Sequence, residues 1–433
     1  GNPSVADFDA DGDFDIILPS NNVNTPCPHS FLISSFRSAL FNGSLSTRPI
    51  ISPLFVPLLE QCIIACPNHS ETACGEFEPY SNTYNPSRIL INNGKGFFSD
   101  ETESRLPGSE IDNDWTTGFL VIDFDLDGDL DIFEANRSER NRLLVNNGSG
   151  IFTDESNGRI PIDNVTSSVG RPCDFDNNGY LDIVLSTNPF GRDRLLMNNA
   201  GQFVDETSGR FPDLSTSSGY SDAGDIDNDD WSDVIIVNSY KTQPLQNLLY
   251  HNTGGGYFTD VTDERLPVVD TQTSRVSFGD IDGDCDIDIL LANCEEPNQV
   301  YLNVGIPDSH PPKIFSTGIE ESSKIEDGEI QIYAHVIDHV SVNPGEVATR
   351  LFYSTDDGNH YHDCTMSWRG GELYSARILG LDPDTEIRYY FRAVDRSGNV
   401  CTDPRDVIMD SSRSNVYRVT LPPQRYSYLH DQP

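Results

Sequence analysis

Every second residue from Asp123 to Asp131 is an aspartate, and Gly128 stands where the chain must turn sharply. Asp123, Asp125, Asp127, Asp129 and Asp131 repel one another unless a hard cation gathers them. Calcium suits such a set, because it takes roughly six to eight oxygen ligands in a tolerant geometry. The apolar pair Ile132-Phe133 follows directly, so the loop leads into a strand. The stretch recurs at Asp7–Asp15, Asp174–Asp182, Asp225–Asp233 and Asp280–Asp288. Any fold open to this chain must therefore accommodate the loop five times.

A second element travels with the loops. Arg88-Ile-Leu-Ile-Asn-Asn-Gly-Lys-Gly-Phe-Phe-Ser-Asp-Glu-Thr102 is echoed at 142–156, 194–207 and 247–262. An apolar run, then Asn-Asn-Gly or a close variant, then an aromatic strand is the pattern of a hairpin. One repeat is thus four strands: one entering the acidic loop, one leaving it, and the hairpin pair. Four short strands in about fifty residues is the pattern of a β-propeller blade. The predicted fold is all-β, with residues 1–307 as the propeller.

The interval from the first loop to the second is too long for one blade. Residues 20–86 read as an insertion holding Cys27, Cys62, Cys66 and Cys74, stapled by two disulfides whose pairing is left open. It is either a decorated loop or a partner-binding surface. The repeats stop near Tyr301–Gly305, after five sets of first-to-third strands but only four fourth strands. The last blade is therefore expected to have an unfilled edge, closed by residues upstream of Gly1 or by another chain. Up to seven blades are possible if upstream chain is missing. From residue 308 to 421, alternating strands at 330–337, 349–353, 373–378 and 387–394 predict a β-sandwich, with Cys364 and Cys401 as a candidate pair. Residues 422–433 read as an extended tail.

The formal charge of −41 bears on partners. Much of it sits in the five loops, and there is no basic patch of the kind nucleic acid requires. No apolar run is long enough to span a bilayer. The chain shows no charged-then-apolar leader and no initiating Met, as expected of a processed chain or a fragment. Five Asn-x-Ser/Thr sequons, at Asn42, Asn68, Asn136, Asn147 and Asn164, join the cysteines and the calcium chemistry in pointing outside the cell.

Loops of the form Asp-x-Asp-x-Asp-Gly-x-x-Asp before an apolar strand resemble the FG-GAP/VCBS family of calcium-binding propeller repeats, also found in integrin α-subunit heads. By that resemblance, positions one, three, five and nine give side-chain oxygens and position seven a backbone carbonyl. This implies Asp7, Asp9, Asp11 and Asp15 with the Asp13 carbonyl in the first loop. In the second it implies Asp123, Asp125, Asp127 and Asp131 with Asp129. In the third it implies Asp174, Asp176, Asn178 and Asp182 with Tyr180, one charge fewer. The fourth takes Asp225, Asp227, Asp229 and Asp233 with Trp231, though Asp230 replaces the turn glycine. The fifth takes Asp280, Asp282, Asp284 and Asp288 with Asp286, and Cys285 stands at the glycine position.

About five calcium ions are implied, in a structural role. An EF-hand is excluded: only the second loop has a glutamate, Glu134, at position twelve, and no helices flank the loops. Only Phe278-Gly279 matches the first half of the family's name. Residues 311 to 420 resemble an immunoglobulin or fibronectin type III module, on Tyr389-Tyr390, Ala393-Val394-Asp395 and Gly398-Asn399. Asp213-Leu-Ser-Thr-Ser217 spells a metal-dependent adhesion motif without the strand context such a site needs.

The function expected is that of a secreted, calcium-stabilised, non-enzymatic adhesion or structural protein contacting proteins or glycans. Self-assembly into a filament through the open blade edge is one form of it. The alternative is the accessory, carbohydrate-binding portion of a larger extracellular enzyme.

Overall fold

An apolar strand leaving an acidic loop finds its partner in the hairpin that follows, so each repeat closes on itself as an antiparallel sheet. A computed structural model describes residues 4–19, 21–22, 84–85, 87–108, 116–137, 139–162, 166–188, 191–212, 218–238, 246–268, 271–294, 296–305, 307–319, 330–340, 347–381, 385–403, 415–420 and 427–430. The first sheet runs Ser4–Ala6, Asp15–Leu18, Arg88–Asn92, Phe98–Asp100. The second runs Thr116–Ile122, Asp131–Asn136, Arg142–Asn146, Phe152–Asp154, and the third Thr166–Val169, Ile183–Asn188, Arg194–Asn199, Gln202–Asp205. The fourth is Ser218–Gly224, Asp233–Asn238, Leu248–Asn252, Phe258–Asp260. Among the described residues the fifth has three strands: Thr273–Gly279, Asp288–Asn293 and Gln299–Tyr301. In the hairpins, Gly94 and Gly148 take φ of 72° and 79°, the left-handed conformation for which the Asn-Asn-Gly pattern is suited.

A four-residue turn follows each fourth strand: Thr102–Arg105 and Thr262–Arg265 are single helical turns, whereas Ser156–Arg159 and Thr207–Arg210 have non-helical backbone at Asn157–Gly158 and Ser208–Gly209. The hydroxyl that opens each turn accepts the backbone N–H of Ile89, Leu143, Leu195 or Leu249 on the third strand, at 2.9–3.1 Å. No helix among the described residues is long and apolar enough to cross a membrane.

Neighbouring sheets share apolar cores, and one aromatic pair recurs. The residue at loop position two packs edge-on against the fourth-strand phenylalanine of the next sheet. The pairs are Phe8–Phe152 at 5.7 Å, Phe124–Phe203 at 5.2 Å and Phe175–Phe258 at 5.4 Å. The fourth loop has Ile226 there, and among the described residues the fifth sheet has no fourth strand to meet it.

The C-terminal part forms two further sheets. One orders Lys313–Ile319, Ile330–Ile337, Leu373–Ile378 and Ser367–Gly370; the other is built around Ala348–Ser354 and Glu386–Val394. They enclose one core containing Ile332, Ala334, Leu351, Ile387, Tyr389 and Phe391. Strand Ile330–Ile337 is buried along its whole length. Tyr333 joins the core of the first two sheets, and Ile337 joins the core of the second and third. The C-terminal sheets are thus packed on the repeats rather than strung after them.

Several expectations need correction. Cys364 and Cys401 form no disulfide with each other. Cys364 lies on His362–Thr365 and Cys401 on Val400–Asp403, with Ala348–Ser354 and Glu386–Val394 between them. Three strand spacings are roughly 14 Å, against about 7 Å for the widest bridgeable pair of Cα atoms. Asn136 cannot accept a glycan: its side chain is fully buried and donates to the Arg140 carbonyl at 2.9 Å. Asn147, by contrast, lies on an exposed hairpin turn. Within the segment read as an extended tail, residues 427–430 form a strand that pairs antiparallel with Asn415–Thr420. Cys27, Cys62, Cys66, Cys74, Asn42, Asn68, Asn164 and the 213–217 motif lie outside the described residues. The two ends of the insertion pair with each other, Asn21–Asn22 against Tyr84–Asn85.

Candidate metal centres

Each acidic loop is held open by its own backbone. In the second, Asp123 accepts the N–H groups of Asp127 and Gly128 at 3.1 and 2.7 Å, and Asp127 accepts that of Asp129 at 3.0 Å. Asp131 accepts Phe124 N–H at 3.3 Å and reaches the third strand through Asn146 N–H at 2.8 Å. The third loop repeats the arrangement through Asp174, Asn178 and Asp182. Position nine therefore ties the loop to both strands beside it, and the Asn of the third strand extends the tie between sheets. Asn146 donates to the Phe8 carbonyl at 2.9 Å, Asn198 to Phe124 at 3.0 Å, and Asn252 to Phe175 at 3.0 Å.

The curl requires left-handed backbone at positions four and six. Position six is Gly12, Gly128, Gly179, Asp230 and Cys285 in turn, at φ of 98°, 100°, 94°, 73° and 69°. Gly128 is doubly constrained, because a Cβ there would meet the Tyr333 ring at 2.6 Å. Gly128→Ala is expected to destabilise by about 2 kcal/mol or more, since left-handed strain alone costs about 1–2 kcal/mol. Asp230→Gly, which relieves such strain, should stabilise. Chemical denaturation of both variants checks the pair; an unchanged midpoint for Gly128→Ala would contradict the contact.

The carboxylates converge as the alternation predicts. In each of four sets, one oxygen per residue lies within 4.8 Å of the others: Asp7/Asp9/Asp15, Asp123/Asp125/Asp127, Asp174/Asp176/Asp182 and Asp225/Asp227/Asp229. In the fifth loop, Asp280 accepts Gly283 and Asp284 N–H, and Asp282 and Asp284 are exposed. Asp11, Asp229 and Asp284 at position five each cap the N–H of position seven: Asp13, Trp231 and Asp286.

Burial makes this convergence costly without a cation. It pushes Asp15, Asp127 and Asp225 up to about 7 and Asp174 up to about 6, and raises Asp131 and Asp182 well above the usual range. The buried oxygens without any hydrogen-bond partner include Asp9, Asp125, Asp176 and Asp227 Oδ1, all at position three. In three of these residues the other oxygen is taken by an arginine of the same repeat. Arg105 meets Asp9 at 3.2 Å, Arg159 meets Asp125 at 2.8 Å and Arg265 meets Asp227 at 2.8 Å. Each arginine fixes its carboxylate and leaves one oxygen aimed inward. The chemistry of this donor set fits a hard divalent cation, because an unpaired buried carboxylate oxygen is otherwise strongly unfavourable.

The arginines were overlooked in the sequence, although each precedes Leu-Pro, Ile-Pro or Phe-Pro in its repeat. So was His251, which stands where other repeats have Ile91, Val145 or Met197. Its Nδ1 lies 3.1 Å from Asp233, which holds the imidazole above its usual pKa. The largest omission is the C-terminal part. Arg369 meets Asp7 at 3.3 Å, His335 meets Asp123 at 2.9 Å, and Lys313 meets Asp230 at 2.8 Å. Arg396 stands 3.6 Å from Asp280.

Residues 123–185, 174–236 and 225–291 match the FG-GAP-like repeat. The chain carries three such repeats. Each matched span runs from one acidic loop to the strand that leaves the next, so together they take in the second to fifth loops. Among solved structures, the V. cholerae biofilm matrix protein Bap1 is 12% identical with a TM-score of 0.25, over 72% of this chain and 62% of that one. The chain thus spans about three-fifths of that protein's length. The FN1–FN3 domains of chicken CNTN1 are 12% identical with a TM-score of 0.16, over 66% and 97%. Neither TM-score is high enough to carry a shared fold. No curated protein matches the chain.

Proposed function

We propose that the chain is an extracellular, calcium-stabilised protein with an adhesive or structural, non-enzymatic role. In this reading the five sheets are propeller blades, each FG-GAP loop holds one calcium ion, and the C-terminal sheets form an immunoglobulin/fibronectin III-like module. Partners would be extracellular proteins or glycans, or further copies meeting at the incomplete fifth sheet. The observation that carries the proposal is the repeated orphan oxygen at position three, held in place by an arginine in three of the four loops. Bound calcium would cancel the loop charge and so join the strand entering each loop to the strand leaving it.

Calorimetric titration of chelator-stripped protein tests this. About five sites are expected, with affinities in the submillimolar to millimolar range of extracellular calcium modules. The third loop, with Asn178 in place of a carboxylate, should be the weakest. Combined Asp123→Asn, Asp125→Asn and Asp127→Asn changes should remove one site and leave four. Absence of any heat up to about 10 mM calcium, well above that range, would sink the proposal.

A further inference from the structure

We propose that the fourth acidic loop is a mixed imidazole–carboxylate site, where His251 joins Asp227 and Asp233 to select a transition-metal dication of the zinc class over calcium. This rests on the reading of the loops as cation sites and names the ion that one of them prefers.

Strand Leu248–Asn252 places His251 opposite Thr259, one residue before the Asn252 that joins neighbouring sheets. The same register holds Ile91, Val145 and Met197 in the first three sheets, each packed in an apolar core. None of those side chains supplies a nitrogen donor. In the fourth sheet, His251 Nδ1 lies 3.1 Å from Asp233 Oδ1 and 3.5 Å from Asp227 Oδ2, and its Nε2 lies 4.0 Å from Asp229 Oδ2. One atom each from His251, Asp227 and Asp233 falls within 4.8 Å of the other two.

Asp233 marks the fourth loop out independently. At position nine of the other loops, the second carboxylate oxygen accepts the N–H of position two. Phe8 donates to Asp15 at 3.2 Å, Phe124 to Asp131 at 3.3 Å, Phe175 to Asp182 at 2.9 Å and Ile281 to Asp288 at 2.7 Å. Asp233 Oδ1 accepts Asn252 N–H at 2.8 Å, but its Oδ2 has no hydrogen-bond partner although the side chain is 1% exposed. Asp227 Oδ1 is likewise buried without a partner, while Arg265 holds Oδ2 of the same carboxylate at 2.8 Å. Two orphaned carboxylate oxygens thus share one site with an imidazole.

The donor set decides which ion fits. Zinc bonds of about 2.0–2.2 Å in a tetrahedral arrangement set ligand atoms roughly 3.3–3.6 Å apart. The 3.1 and 3.5 Å separations of Nδ1 from its two carboxylates lie close to that spacing. Calcium is a hard ion that takes oxygen ligands and gains little from a ring nitrogen, whereas imidazole suits zinc and its neighbours in the transition series. The side chains of Asp227 and Asp229 are 27% and 38% exposed, which gives an ion a way in. With calcium alone in solution the fourth loop holds calcium; zinc displaces it.

The test adds zinc to the whole chain in millimolar calcium and follows it by calorimetry and X-ray absorption. One zinc ion is expected to bind at least about a hundredfold more tightly than calcium, with one imidazole nitrogen among its ligands. His251→Val and His251→Met install the residues that stand at this register in the second and third sheets. Each should weaken zinc binding at least about tenfold, the scale of losing even an outer-shell partner of a metal ligand. An all-oxygen zinc shell, zinc binding no tighter than calcium, or unchanged zinc affinity in both variants overturns the proposal. Calcium titration of the zinc-free chain is a separate arm. The expected zinc binding with no calcium heat would overturn the calcium reading and leave this one standing.

Discussion

Stripping calcium should lower the melting temperature by well over ten degrees. At a calcium concentration about ten times Kd, each ion stabilises the folded state by about 1.4 kcal/mol, so five supply about 7 kcal/mol. That equals a large part of the roughly 5–15 kcal/mol available to a folded domain. The dependence on pH should differ between the two forms. In the metal-free protein, burial holds Asp15, Asp127 and Asp225 near 7, above an unfolded value near 3.8. Between those values the folded state binds more protons than the unfolded one, so its stability falls as pH rises from about 4 to about 7. Chelated protein should therefore melt lower at pH 8 than at pH 5. Calcium competes with those protons and should reverse or flatten the trend. Melting scans with calcium and with EDTA at both values decide the matter; coincident curves at pH 8 would refute the structural role of calcium.

The second large effect is expected at Arg369. Its side chain is 2% exposed, beside an Asp7 carboxylate that is itself buried. It also donates to the Asp7 carbonyl at 3.1 Å, while its own carbonyl accepts Asp7 N–H at 3.1 Å. Removing one partner of a buried ion pair leaves an uncompensated charge, at a cost of about 3–5 kcal/mol. Arg369→Ala should show that loss in EDTA and a smaller one in calcium, because the metal supplies the counter-charge. Asp7→Asn in the same chain should recover part of the EDTA loss. A loss below about 1 kcal/mol in EDTA, the scale of an exposed pair, would mean that the C-terminal sheets do not anchor the first loop.

The predictions differ in what made them possible. The alternation of aspartates specifies a loop that wants a cation, and its link to position nine is a contact across only eight residues. The hairpins are equally local: Asn-Asn-Gly sets the turn, and the apolar runs on either side set the register. That is why the sheets, their order and the missing fourth strand were all legible before any fold was known. Local pattern also misled. Asn136 satisfies a sequon, but it ends a strand whose every residue is buried.

What the sequence by itself determined is the repeating unit: short strands around an acidic loop, five times over, with three strands in the last sheet among the described residues. Alternation and turn chemistry encode contacts between residues a few positions apart. Only the tertiary structure decided which distant side chains meet the loops. His335 lies 212 residues from Asp123, and Arg369 lies 362 from Asp7. No periodicity relates such positions; they meet because strand Ile330–Ile337 buries one face in its own sandwich and the other against the stacked repeats. The same packing leaves Cys364 and Cys401 separated by two intervening strands, a distance that spacing along the chain cannot reveal.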